Sequence, residues 1–85
     1  MKKFNYVITD EIGLHARPAG ALAKEAAKFS SQIRIACRDK EADAKRLIAM
    51  MGLGIKKDDE VTVSAAGADE ETACEAMMDF FTANL

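Results

Sequence analysis

Hydrophobic residues recur at every second position in three parts of the chain, a pattern typical of strands with one buried face. These stretches are residues 2–8, 32–37 and 60–66. A fourth, shorter strand is expected over residues 41–43, at a sheet edge. Because each strand has one polar face, we expect an antiparallel sheet that helices cover on one side only. The predicted inward-facing residues are Phe4, Tyr6, Ile8, Ile33, Ile35, Cys37, Val61, Val63 and Ala65.

Apolar residues spaced three and four positions apart predict three helices in the rest of the chain. The helices are expected over residues 16–29, 45–52 and 70–83. Asp69 is suited to cap the third helix, and Gly52 to end the second. The predicted order is β-α-β-β-α-β-α, an α+β fold of two layers. The length of 85 residues allows a modest core, so we expect a single domain over residues 1–85.

The second predicted helix is apolar nearly all round, although so short a helix has only one face to bury. Its apolar side chains are Leu47, Ile48, Met50 and Met51. The pattern alone leaves two interpretations open. The helix is either fully buried, or it keeps some of these side chains exposed as an adaptable patch that contains methionine.

Composition narrows the classes of function. The chain has 12 basic and 14 acidic residues, and its net charge of −2 gives no general case for nucleic-acid or membrane binding. No apolar run is long enough to span a bilayer, and residues 1–30 lack a signal-peptide pattern, so we expect a cytoplasmic protein. Cys37 and Cys74 stand far apart without a motif and are predicted to be reduced, buried thiols. With one histidine and no clustered cysteines we expect no metal site and no cofactor.

The candidate chemistry lies in the stretch from Gly13 to Ala19, which holds the only histidine and the only proline. Pro18 favours the first turn of a helix, so His15 should lie at or just before the helix start. Helix starts carry unpaired N–H groups and a partial positive charge, which favour an anion and a neutral, nucleophilic imidazole. Arg17 adds a planar set of donors that suits phosphoryl oxygens.

Two interpretations of this stretch follow from the residues alone. One is a histidine that accepts a phosphoryl group, and the other is a surface histidine beside an ordinary helix start. Gly20 and Lys24 share the side of the helix that carries Ala16 and Arg17, opposite the predicted core face. Gly20 either permits another backbone to approach closely or is simply tolerated there. A nucleotide-binding enzyme has little support, because the chain has no glycine-rich phosphate loop of the P-loop type.

Three blocks of the sequence resemble the HPr family, the histidine-containing phosphocarriers of the bacterial phosphoenolpyruvate-dependent sugar phosphotransferase system. The blocks are Gly13–Ala19, Leu47–Ile55 and Val61–Glu70, and the resemblance covers all 85 residues. It implies an open-faced sandwich, with a four-stranded antiparallel sheet in the order 1-4-2-3 and three helices on one face.

The resemblance also implies a function. His15 would accept a phosphoryl group on Nδ1 from phosphorylated enzyme I and pass it to a histidine of a sugar-specific enzyme IIA. Arg17 would assist at the phosphoryl group, and the main-chain amides of Ala16 and Arg17 would face it. The implied partner surface consists of Ala16, Gly20, Lys24, Leu47, Ile48 and Met51. A paralogue in a nitrogen-related or regulatory relay, or an interaction module whose phosphorylation state is sensed by partners, remains an alternative. A monomer is expected in each case.

Two positions depart from the family pattern. Many relatives in Gram-positive bacteria have a regulatory serine at position 46, where this chain has Arg46. We therefore predict that this chain has no kinase switch at that site. Ile12 replaces a residue that is often a small polar one near the active centre, so no side-chain hydrogen bond is expected from position 12.

Overall fold

The computed structural model describes residues 1–85 and contains four strands and three helices in the predicted order. The elements are β1 (Lys2–Val7), α1 (Ala16–Ala26), β2 (Gln32–Cys37), β3 (Lys40–Asp43), α2 (Leu47–Met51), β4 (Glu60–Ala66) and α3 (Glu70–Asn84). The prediction of a β-α-β-β-α-β-α chain is confirmed.

The strands form one antiparallel sheet in the order β1-β4-β2-β3, as the family resemblance implies. Val63 of β4 lies between Phe4 of β1 and Ile35 of β2 at the centre of this sheet. The register therefore places the inward-facing residues of three strands side by side, because side chains alternate between the two faces of a strand.

The core lies between the sheet and the helices and comprises 21 buried residues. Phe81 of α3 is fully buried, and the rings of Phe4 and Tyr6 pack edge-on against it with centroids 5.9 and 5.6 Å away. α3 packs on β1 and β4, whereas α1 packs between α2 and α3. This arrangement brings the beginning of α1 close to the end of α3.

The helix boundaries differ from the predicted ones in physically interpretable ways. α1 ends at Ala26, because Lys28 and Phe29 donate their amides to the carbonyls of Glu25 and Ala26, three residues earlier. These shorter bonds tighten the chain beyond the last α-helical turn. The second helix begins at Leu47, two residues later than predicted, and Gly52 follows it as the C-cap.

The structure corrects the prediction that the side chain of Asp69 caps the third helix. It occupies the N-cap position of α3, but its side chain makes no capping hydrogen bond with that helix. Its carboxylate instead accepts the amides of Ser30 and Ser31 at 3.0 and 2.9 Å, and also the Ser31 hydroxyl. Asp69 therefore joins the start of α3 to the start of β2, 38 residues away in the sequence.

Candidate functional site

The loop between β1 and α1 is folded by Asp10. Its Oδ2 accepts the amides of Ile12 at 3.1 Å and of Gly13 at 3.2 Å, while its own amide donates to the main-chain oxygen of Leu85 at 2.9 Å. This is the local turn that an aspartate side chain forms with the amides two and three residues further on. The contact with Leu85 ties the loop to the end of α3.

Gly13 allows the same loop to press against the segment that follows α2. Its φ is +86°, and a Cβ built there would lie 2.5 Å from the oxygen of Ile55 and 2.6 Å from Cα of Lys56. The adjacent amide of Leu14 donates to the same Ile55 oxygen at 3.1 Å. Only a residue without a side chain fits this approach, so glycine is required for the position of the loop.

His15 is the N-cap of α1, as predicted, with an extended backbone at φ −106° and ψ −176°. Its carbonyl accepts the amide of Ala19 at 2.9 Å, which is the first bond of the helix, and its half-buried side chain makes no capping bond. The amides of Ala16 and Arg17 have no acceptor within the chain, and Pro18 has no N–H. Two main-chain donors therefore remain available directly beside the imidazole.

A shallow depression of about 350 Å³ contains the imidazole. Its lining residues are His15, Arg17, Pro18, Ala21 and Asn84. Arg17 is exposed and forms no ion pair with an acidic residue of the chain. Its guanidinium can therefore turn toward an anion held at the helix start. The depression is too open to enclose a small molecule, so a reacting group held in it stays accessible to a second protein.

Asn84 was not identified from the sequence. It is the last residue of α3, and its amide nitrogen donates to the carbonyl of Phe80 at 3.0 Å, so the side-chain oxygen is left without an intramolecular donor. No local pattern marks such a residue, because only the tertiary contact between α3 and the β1–α1 loop brings it to His15. The turn that Asp10 forms was not predicted from the sequence either.

Leu47, Ile48 and Met51 are called the docking patch, because the family resemblance implies that they bind partners. Their exposure decides between the two interpretations of the second helix. Ile48 is 79% exposed and Met51 is 41% exposed, whereas Leu47 is half-buried and Met50 is fully buried. The helix therefore buries one face and leaves an exposed apolar one, an arrangement typical of interaction surfaces.

The rest of the predicted partner surface lies on α1, which packs beside α2. Ala16 and Lys24 are exposed, and a Cβ built on the half-buried Gly20 would meet no atom within 4 Å. No other part of this chain fills the space beside that Cβ position, so a close approach there would have to come from another molecule. Because α1 packs against α2, this face and the docking patch are adjacent.

Arg17, Lys24 and Arg46 place exposed positive charge around these surfaces, although the whole chain carries a net charge of −2. Arg46 is the N-cap of α2 and makes no side-chain capping bond. Ile12, the other departure from the family pattern, is 66% exposed in the β1–α1 loop. Local charge and global charge therefore differ in sign at the candidate site, which favours acidic partners there.

The remaining groups with potential chemistry lie elsewhere. Cys37 and Cys74 are free and buried, and burial raises the pKa of both thiols. No three His, Cys, Asp or Glu residues cluster in a way that would hold a metal ion. None of the helices has the length and apolar character needed to cross a membrane.

An open-faced sandwich that presents a histidine and unbonded amides at the start of its first helix has the architecture of a histidine phosphocarrier. The family model described as the PTS HPr component phosphorylation site matches residues 2–83. Phosphocarrier protein HPr of Mycoplasma genitalium is 49% identical over 78 residues, covering 91% of this chain and 89% of that protein. Phosphocarrier protein HPr of Mycoplasma capricolum is 47% identical over 77 residues, covering 91% and 86% of the two chains.

Solved structures agree with the sequence relatives. The crystal structure of HPr-C-His from Thermoanaerobacter tengcongensis is 40% identical and superposes with a TM-score of 0.93, covering 98% of this chain and 93% of that one. The chain belongs to the HPr family, the phosphocarriers of the phosphotransferase system.

Proposed function

We propose that this chain carries a phosphoryl group on His15, which it accepts from phosphorylated enzyme I and passes to a histidine of a sugar-specific enzyme IIA. The observation that supports this proposal most directly is the half-buried imidazole of His15 beside the unbonded amides of Ala16 and Arg17. We assign the catalytic roles to His15 and Arg17.

In the first step, the Nδ1 lone pair of a neutral His15 attacks the phosphorus of the phosphohistidine of enzyme I. The new N–P bond forms as the donor N–P bond breaks, and the donor imidazole keeps the electron pair of that bond. The second step repeats this exchange, with His15 as the leaving nitrogen and the histidine of enzyme IIA as the nucleophile. The amides and Arg17 stabilise the phosphoryl oxygens, because positioning and charge account for most of the catalysis in phosphoryl transfer.

A carrier must give up the group that it accepts, and the geometry of this site is suited to that requirement. A depression without enclosing walls leaves phosphorus open to attack from the side of the partner. The docking patch and the exposed face of α1 (Ala16, Gly20 and Lys24) would bind the two partners in turn through a small apolar contact with a positive rim. Small interfaces with a charged rim are typical of brief encounters.

The proposal is tested with phosphoenolpyruvate and purified enzyme I, by counting the phosphates bound per chain. We expect one acid-labile phosphate, which is absent in His15→Ala. Arg17→Glu should slow transfer about tenfold to a hundredfold without lowering the thermal stability of the domain. Lys40→Glu is the matched control, because it makes the same change of charge at an exposed residue of β3.

Five outcomes would each contradict one of these assignments. Phosphate that survives in His15→Ala would exclude His15 as the acceptor. Unfolding of Arg17→Glu would make Arg17 structural, and equal slowing in Lys40→Glu would reduce its effect to net charge. Loading only by an enzyme I of a nitrogen-related system would replace the sugar pathway by that relay. Phosphorylation without onward transfer would support an interaction module.

We also propose that the carrier acts as a monomer in the cytoplasm, and light scattering tests the oligomeric state.

A further inference from the structure

The side chain of Arg38 joins two loops near the site that are distant in the sequence. Its Nη2 donates to the carbonyl oxygens of Leu53 at 3.0 Å and Gly54 at 3.2 Å, and its Nη1 binds Asp59 Oδ2 at 2.8 Å. Arg38 belongs to the turn between β2 and β3, whereas Leu53 and Gly54 follow directly after α2. We call this set of contacts the Arg38 clasp.

The backbone of Arg38 makes arginine an unexpected residue at this position. The turn between the paired residues Cys37 and Lys40 contains only Arg38 and Asp39, and the φ of Arg38 is +57°. In two-residue hairpin turns, positive φ angles usually occur at glycine, asparagine or aspartate, because a Cβ crowds the backbone there and only short polar side chains offset this with local hydrogen bonds. The clasp is therefore made by a residue that the local turn geometry disfavours, as is typical of strained residues that serve a function.

The segment held by the clasp is also the one that supports the β1–α1 loop. Ile55 accepts the amide of Leu14 at 3.1 Å, and the close approach of Gly13 is to Ile55 and Lys56. The carboxylate of Asp59 accepts the amide of Lys56 at 2.9 Å, so it connects the guanidinium to this same segment. The guanidinium and that amide together hold the pKa of Asp59 below its usual value.

We propose that Arg38 is a positioning residue, which fixes the docking patch on α2 at a set distance and orientation from His15. The inference rests on the proposed function, because it concerns a partner that touches the patch and the imidazole at the same time. Without the guanidinium, the segment after α2 would lose its side-chain bonds to the β2–β3 turn and keep its contact with the β1–α1 loop and the buried side chains of Leu53 and Ile55. The patch would then move relative to His15, and binding of the partner would weaken, whereas chemistry within the bound complex would persist.

The kinetic test uses Arg38→Asn, because asparagine tolerates a positive φ and the change therefore removes the guanidinium while keeping the turn. We expect the KM of enzyme I for the carrier to rise about threefold to tenfold, with kcat unchanged within about twofold. Arg38→Lys should raise the KM less than Arg38→Asn does, since a single ammonium replaces only part of the fork of donors. Arg34→Asn is the matched control, because Arg34 of the preceding strand β2 is also an ion-paired arginine, bound to Glu41 at 2.6 Å.

A second measurement separates positioning from general stability. Hydrogen exchange at the amide of Leu14 should accelerate about threefold to tenfold in Arg38→Asn, while the amides of β4 exchange as in the parent chain. An unchanged KM, a fall in kcat alone, equal acceleration at all amides, or the same effect in Arg34→Asn would each overturn the proposal. If the parent chain accepts no phosphate at all, the proposed function fails instead, and exchange at Leu14 still decides whether the clasp holds the loop.

Discussion

Gly20→Ala separates the stability of the fold from the binding of a partner. Gly20 lies inside α1, its φ is not positive, and an added methyl group would meet no atom of the chain within 4 Å. Alanine in the interior of a helix is favoured over glycine by about 0.5–1 kcal/mol. For a domain of this size, such a gain raises the melting temperature by about 2–8 °C.

The same methyl group should weaken docking. Gly20 belongs to the proposed partner surface, and a partner that packs on its bare Cα would be pushed outward by the added carbon. Overpacking of a fitted contact costs about 1–3 kcal/mol, so the KM of enzyme I for the carrier should rise at least about fivefold. The assay follows phosphate uptake from phosphoenolpyruvate at several carrier concentrations, with urea unfolding of the same samples.

Thr72→Ala serves as the control, because it adds helix propensity to an exposed position in the first turn of α3, away from the docking patch. It should not change the KM. Two results would refute the reasoning about Gly20. A loss of stability would mean that the space above Gly20 is not open, and an unchanged KM would mean that no partner approaches this residue.

Two other substitutions test contacts that stabilise the fold, one beside the site and one between α3 and β2. Gly13→Ala should lower the free energy of unfolding by about 2–4 kcal/mol, because it combines a positive φ with a clash against the Ile55 carbonyl; a loss below about 1 kcal/mol in urea unfolding would contradict the close approach. Asp69→Asn should flatten the dependence of stability on pH. The Ser31 hydroxyl and the Ser30 amide are the main causes that lower the pKa of Asp69 from 3.8 to about 2. Its ionised form therefore stabilises the fold fully above about pH 4, and this contribution is lost as the pH falls toward about 2. Identical acid unfolding curves for the variant and the parent chain would exclude this role of Asp69.

The strands were predictable because each has one face on the core, and a repeat of two residues is a local property of the sequence. The buried residues Ile33 and Ile35 of β2, and Val61 and Val63 of β4, lie where their alternation indicates. The order of the strands in the sheet, in contrast, is not a local property of the sequence. β1 pairs with β4 across more than 50 residues, and no local pattern specifies that pairing, so the order 1-4-2-3 came from the family resemblance.

Side chains that act across the fold were the ones that local reasoning missed. Asp69 has the residue type and position of a helix cap, but its carboxylate accepts the amides of Ser30 and Ser31 instead. Asn84 meets His15 only because α3 ends beside the β1–α1 loop. Arg38 was unremarkable as an exposed charge, since its partners become visible only when the turn and the exit of α2 are placed together.

The hydrogen bonds of the β1–α1 loop hold its first part in place and leave the amides beside the reactive histidine free. The amides of Ile12, Gly13 and Leu14 all donate within the chain, whereas those of Ala16 and Arg17 do not. The loop is therefore held by hydrogen bonds up to Leu14, and its free donors begin at His15, whose own amide also has no acceptor in the chain. A site built in this way positions a phosphoryl group without enclosing it, so the specificity for each partner has to come from surfaces outside the loop. Changes in the loop should accordingly slow the exchange with both partners alike, whereas changes in the docking patch should affect the two partners to different extents.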